Sequence, residues 1–175
     1  MEKFKRRFES RRINYYLCDN KELKNILMEL INEFSSDERF SKLGYTDCEI
    51  LRDINLFDLI KGIKSIDIKH PLKNISDIEI YSHFVDEIRK NIMVDIFITQ
   101  ADGITVNGEI LFKDEIGNKI AGTVFGPQRV IILVNNSNIY DSIEDFLDQN
   151  KDNVYSIIYG SMEGHKDRLY LIQII

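Results

Sequence analysis

Residues Met93 to Val134 read MVDIFITQADGITVNGEILFKDEIGNKIAGTVFGPQRVIILV, and their pattern decides the fold class. Two strongly apolar runs, MVDIFIT and RVIILV, stand on either side of a Gly-rich centre. That centre carries two turn signals, Asn107-Gly108 and Gly117-Asn118. A helical period cannot accommodate so many breakers, so the block is expected to be sheet with tight, shaped loops. The first strand is expected over Val94 to Thr99. Pro127 has no N–H to give a ladder, which places Gly126-Pro127 ahead of the second strand, expected over Arg129 to Val134.

Outside this block the period changes. Residues 21 to 34, KELKNILMELINEF, repeat Leu23, Ile26, Leu27, Leu30, Ile31 and Phe34 on one broad face, which predicts a helix that Asp19 or Asn20 can cap. A short helix is expected over Leu56 to Lys61, stopping near Gly62, and a short strand over Ser65 to Ile68. A third helix is expected from Asp77 to about Asn91, with Ile80, Phe84 and Ile88 inward. Asp141 can cap a helix through Gln149, Val154 to Tyr159 reads as a strand, and Arg168 to Ile175 as an edge strand. Helices alternating with apolar strands predict an α/β sheet covered on both faces, with an antiparallel or irregular insertion at the central turns. No repeat or low-complexity tract divides the 175 residues. They are expected to form one domain, with residues 1–45 as an N-terminal helical cap or extension.

Composition narrows the partners. The formal net charge is -6 and the sequence pI about 5.1, so attraction to nucleic acid or anionic lipid is not expected. The basic cluster of Lys3, Lys5, Arg6, Arg7, Arg11 and Arg12 is expected to be the solvated side of a first helix whose Phe4 and Phe8 pack inward. With no secretory apolar region and no run of about 20 apolar residues, a soluble cytoplasmic protein without a membrane partner is expected. Cys18 and Cys48 match no metal spacing and are expected to be separate reduced thiols.

Recognisable catalytic signatures are missing. There is neither a P-loop nor a GxGxxG fingerprint, and Gly103, Gly108, Gly117, Gly122 and Gly126 are spaced too widely for one phosphate nest. Glu79, His83 and Glu87 follow one another at i,i+4, a spacing that suits a solvated helix better than a metal site, and no metal is expected. His70 and His165 stand in turns. The polar groups around the central turns carry more weight. Asp102 and Glu109 are carboxylates placed to take a proton, and Lys119 can hold a carboxylate or phosphate. Asn107, Asp114 and Asn118 are also favoured turn formers, so their presence has a conformational explanation as well.

The block GNKIAGTVFGPQRVIILV resembles the LUD domain family, the lactate-utilisation group, whose short bacterial members carry a pattern near NAIT-x-x-G-x-L-x-x-x-D-x-x-GNR-V-A-x-x-x-FGP. Asp102-Gly103-Ile104-Thr105 stands at the NAIT position, Gly117-Asn118-Lys119 at GNR, and Phe125-Gly126-Pro127 is unchanged. Upstream, Asn14-Tyr15-Tyr16 followed by the Lys21 to Phe34 helix resembles the family's N-terminal helical entry, and Asp53 to Leu59 a segment that usually contains E-x-G-L. The resemblance implies a Rossmann-like three-layer α/β sandwich similar to the NagB/RpiA/CoA-transferase-like fold, with a site at strand ends and a link to lactate oxidation. The chain departs from the pattern at Asp47-Cys48-Glu49, where the family has Gly-Gly-Ser, at Asn55, where it has glycine, and at Asn138, where it has lysine.

From residues and resemblance together, the leading expectation is a LUD-like domain that binds a small organic acid or phosphorylated metabolite. Lys119 would orient the anion, Asn107 and Asn118 would hydrogen-bond it, Gly108 and Gly126 would offer backbone, and Asp102 or Glu109 would handle a proton. The residues point to no particular cofactor and leave catalysis open. The opposing expectation is a non-catalytic interaction module that forms a homodimer through the terminal YLIQII strand.

Overall fold

The computed structural model describes residues 2–63, 65–69, 86, 89–114, 117–150, 155–161, 164–165 and 167–175. Its centre is a six-stranded parallel sheet built from β1 (Ile13–Cys18), β2 (Lys42–Tyr45), β3 (Asp67–Lys69), β4 (Ile96–Gln100), β7 (Arg129–Asn135) and β10 (Leu169–Ile174), in the order β1-β10-β7-β4-β2-β3. A smaller sheet, β8-β5-β6-β9, is formed by β5 (Gly103–Thr105), β6 (Ile110–Lys113), β8 (Ile139–Tyr140) and β9 (Tyr155–Ile158). Helices whose bounds fall among the described residues are α1 (Glu2–Ser10), α2 (Asn20–Ser35), α3 (Glu49–Asp53), α4 (Leu56–Ile60), α5 (Asn118–Val124) and α6 (Ile143–Gln149).

The apolar runs that open the sequence argument are the middle of this sheet. A strand covered on both faces cannot alternate apolar with polar side chains, and the interiors of β4 and β7 are buried residue after residue. On one face α2, α3 and α4 pack Leu27, Ile31, Leu51 and Ile60 against Leu43, Ile98, Ile131 and Ile172. On the other, Phe8 of α1 and Ile104, Ile110 and Phe112 of the small sheet cover Phe97, Val130, Ile132 and Leu171. The result is a Rossmann-like three-layer α/β fold in which part of one outer layer is a second sheet.

Local chemistry sets the element ends. Asp19 accepts from the N–H groups of Lys21 and Glu22 at 2.8 and 2.9 Å, and Glu22 accepts from the Asp19 N–H, a reciprocal cap on α2. At β2 the described pairing with β3 runs to Gly44, opposite Lys69. One residue further on, the Asn91 carboxamide meets the strand backbone as a neighbouring strand would, accepting from Tyr45 N–H at 3.0 Å and donating to Tyr45 C=O at 2.8 Å. That contact needs a bare backbone at Gly44, where a Cβ would lie 2.1 Å from the Asn91 carbonyl oxygen.

Four expectations change. The terminal strand β10 is not an edge: it lies between β1 and β7, buried along its length, so YLIQII is not free to recruit another strand. Leu169 to Ile172 in apolar succession suit a strand covered on both faces, and the edge on that side of the described sheet is β1. Residues 118–124 are helical, because the Asp114 carboxylate accepts from the N–H groups of Gly117 and Ile120, both at 2.9 Å, and so holds the first turn closed. Gly117 takes φ +80° there, a backbone state closed to most side chains. The segment 1–45 contributes strands β1 and β2 to the main sheet in addition to its helices. Finally, Ser142 rather than Asp141 caps α6, accepting from Asp145 N–H at 3.1 Å.

Of the helix expected over 77–91, residues 86 and 89–91 are described and helical. His70, Glu79, His83 and Glu87 lie outside the described residues. Cys18 and Cys48 are free thiols. Among the described residues no helix is long and apolar enough to cross a membrane.

Candidate functional site

In an open parallel sheet, ligands bind beyond the carboxyl ends of the strands, at the point where successive connections leave in opposite directions. Here that point lies between β2 and β4. The chain leaves β2 for β3 on one side and leaves β4 for β7 on the other. Cys48, which begins α3, packs with the first core, whereas Gly122 of α5 lies against the Phe97 ring in the second. The two connections therefore flank the sheet from opposite faces at its carboxyl edge, the place where such sheets form their binding crevice.

Polar side chains stand at this edge, beyond the ends of β2 and β4. The Thr46 and Thr99 hydroxyls are buried and hydrogen-bonded at 3.1 Å. Asp102, just beyond β4, accepts from the Lys113 N–H at 2.8 Å and from the Lys119 ammonium at 3.1 Å. Lys119 Nζ also donates to the Lys113 carbonyl at 3.0 Å. Asn118 turns inward on its own backbone, its Oδ1 accepting from Lys119 N–H at 2.9 Å. Asn138 donates to the Asp102 carbonyl at 3.2 Å, so the residue standing at the family's lysine position does reach this crevice. Burial pushes the Cys48 thiol up to about 11, with the positive charge of Lys119 among the smaller opposing influences. A thiol held that high is not an activated nucleophile.

The other expected site residues lie elsewhere. Asn107, Gly108 and Glu109 occupy the turn at the far end of the β5–β6 hairpin from Asp102, and their groups are committed to holding it. Thr105 Oγ1 hydrogen-bonds the Glu109 carboxylate and accepts from the Asn107 N–H at 3.2 Å. Arg11 donates to the Gly108 carbonyl at 2.7 Å and pairs with Glu109 at 3.3 Å. Burial alone would raise the Glu109 carboxyl, but the hydrogen bonds from Thr105 and Arg11 outweigh it and hold the group below its ordinary value. It is a fixed anion. Arg11 is thus a structural cation.

Gly126 is at the opposite end of the main sheet. It lines a cavity of about 630 Å³ at the amino ends of β7 and β10, with Arg168 in the wall. The Arg168 guanidinium donates to the carbonyls of Thr123 at 2.6 Å and Pro127 at 3.1 Å, and burial lowers its pKa. The structure therefore divides the expected site residues three ways, uniting Asp102, Asn118 and Lys119 while separating them from the hairpin turn and from Gly126. Thr46, Thr99 and Arg168 escaped sequence reasoning, for the threonines pass as strand ends and the arginine as a boundary before an apolar run. Among the described residues no group of three or more His, Cys, Asp or Glu side chains is placed to hold a metal ion.

Sheet order, covered faces and a crevice at the switch point define the class: a Rossmann-like α/β domain with its polar residues gathered at the carboxyl edge. Within that class the chain belongs to the LUD domain family, whose model matches residues 1–161. A similar solved structure is that of a DUF162 family protein from Deinococcus radiodurans, DUF162 being the LUD family. It superposes with a TM-score of 0.63 over 99% of this chain and 95% of that one, at 12% identity. No curated protein matches the sequence.

Proposed function

We propose that this LUD domain binds a small organic acid in the crevice between β2 and β4, with Lys119 as the anion-holding group. The observation that carries this reading is the Asp102–Lys119 pair at the switch point, about a quarter exposed on each side. Lys119 is anchored at the start of α5 and its ammonium is held in place by Asp102 and the Lys113 carbonyl. An incoming carboxylate exchanges with Asp102 as its partner. Asp102 then acts as a competitor for the cation: two carboxylates beside one ammonium repel, so the pair sets a threshold that only a well-fitted acid passes. The Thr46 and Thr99 hydroxyls and the Asn118 amide supply neutral hydrogen bonds beside the charge.

The test is calorimetric titration of wild type, D102N and K119A with lactate, pyruvate and inorganic phosphate. D102N, which keeps the shape and removes the competing charge, binds tighter than wild type. K119A loses about tenfold or more, since a charged hydrogen bond is worth roughly 1.5–3 kcal/mol and about 1.4 kcal/mol is tenfold. Binding of equal strength in K119A and wild type would refute the role of Lys119, and weaker binding in D102N would refute the competition.

A further inference from the structure

The amino edge of the main sheet carries a cavity that the crevice chemistry does not use. Among the described residues, Arg168 has no carboxylate within ion-pairing distance, and its partners are the two backbone carbonyls that hold Nε and one terminal nitrogen. A guanidinium has five N–H donors, so the remaining terminal nitrogen and one N–H of the first carry no hydrogen bond to the described residues, and the residue lines the cavity. A half-buried guanidinium without a counter-ion is an electrostatic deficit that a bound anion removes.

The remaining walls restrict what that anion can be. Ile158 and Leu169 are apolar floor residues, and Phe125 and Val124 stand at the mouth 76% and 59% exposed, among the most exposed large apolar side chains described. Exposed apolar side chains beside a cavity mark a surface that gains from being covered. The charged residues of the described lining are Arg129, Arg168 and Asp167, leaving one net positive charge. Arg129 is partly occupied, its guanidinium lying 4.8 Å from the Phe40 ring centroid and 5.6 Å from that of Phe34. Asp167 repels a polyanion such as a nucleotide phosphate. The volume, about 630 Å³, lies within the range of small-molecule sites.

We infer that this cavity is a second binding site, separate from the crevice, for a monocarboxylate with an apolar body: an aryl-substituted or medium-chain alkanoic acid whose carboxylate meets Arg168 and whose tail lies under Phe125 and Val124. Gly126, expected from the sequence to contact a ligand, takes φ +99° between these two parts of the wall.

The experiment titrates the full chain with acetate, butyrate, hexanoate, octanoate and phenylacetate by calorimetry, with hexanamide as the uncharged control, and follows backbone amide NMR shifts. Affinity rises by about two- to fourfold for each added methylene up to the cavity length, as burial of apolar groups requires. Hexanamide binds at least tenfold more weakly than hexanoate. Shifts cluster at residues 123–129 and 167–169 rather than at Asp102 and Lys119. Phe125→Ala, a change at an exposed position that leaves the core untouched, abolishes most of the gain from chain length while acetate binding stays the same. Arg168→Lys keeps the charge and loses the fork, weakening every acid in the series. A flat chain-length series, no binding at millimolar ligand, or shifts confined to the crevice would each overturn the assignment. The last of these outcomes leaves the crevice proposal standing.

Discussion

The two ends of the main sheet each hold a cation fixed by backbone carbonyls, and they treat it differently. At the carboxyl edge Lys119 is also met by a carboxylate, Asp102, so its charge is answered within the fold. At the amino edge Arg168 is met, among the described residues, by carbonyls alone. The first arrangement is a closed pair that a ligand must enter by exchange; the second is a charge with its counterpart absent among the described residues. Position in the fold and electrostatic readiness are separate properties, and here they point to opposite ends of the sheet.

The comparison can be broken most forcefully at Arg168. R168A leaves the Thr123 and Pro127 carbonyls without their charged donor and unties the end of α5 from the start of β10. Urea unfolding should show a loss of about 1–3 kcal/mol. A loss near zero would mean that the guanidinium contributes nothing to the fold and that its placement serves some other end. K119A should cost less, roughly 1 kcal/mol or under, because the pair is part-exposed and Asp102 keeps its bond to the Lys113 N–H. If K119A proved the more damaging of the two, the carboxyl edge would be the structurally committed end.

Glu109 sharpens the contrast as a pair that is structural only. Its carboxyl lies below the ordinary 4.5 in the folded chain, so its contribution is present above that value and fades as pH falls through the lowered one. Wild type should therefore lose stability below about pH 4.5 relative to E109Q, whose curve lacks that component; parallel curves would show the Arg11–Glu109 contact to be neutral. The smallest effect belongs to the exposed Arg52–Asp47 pair beside the crevice. R52A should shift stability by no more than about 0.5 kcal/mol, which makes it the control for charge changes at that edge.

What the sequence discloses follows from what kind of contact fixes each feature. Strands β4 and β7 and helix α2 were legible because burial on two faces, or on one stripe, is written directly into residue type. Strand β1 was missed because INYYLC is half-buried in its middle and shows no alternation. Helix α5 was missed because GNKIAG has the composition of a turn, and the force that makes it a helix is a carboxylate four residues upstream of its first residue. The place of β10 within the sheet was beyond reach, since an apolar strand looks the same wherever both its faces are covered. At the site, Asp102 and Lys119 were found together because both flank the same turns. Asn107 and Glu109 answered to the same signal but serve the hairpin, and Arg168 gave no signal because its partners are carbonyls some 40 residues away in the chain.

The position of β10 also bears on how the chain reaches this state. Among the described residues strand β1 has no neighbour in the sheet other than β10, and the Asn14 to Leu169 hydrogen bond spans 155 residues. Until the late strand docks, β1 has nothing to pair with and β7 presents a bare apolar edge. Contacts of such long range make for slow folding and for an interval in which the unfinished sheet is open to association. Strand β10 is therefore the keystone of assembly: a destabilised variant should fail first by losing β1 and β10 together, and its aggregation should begin at β7.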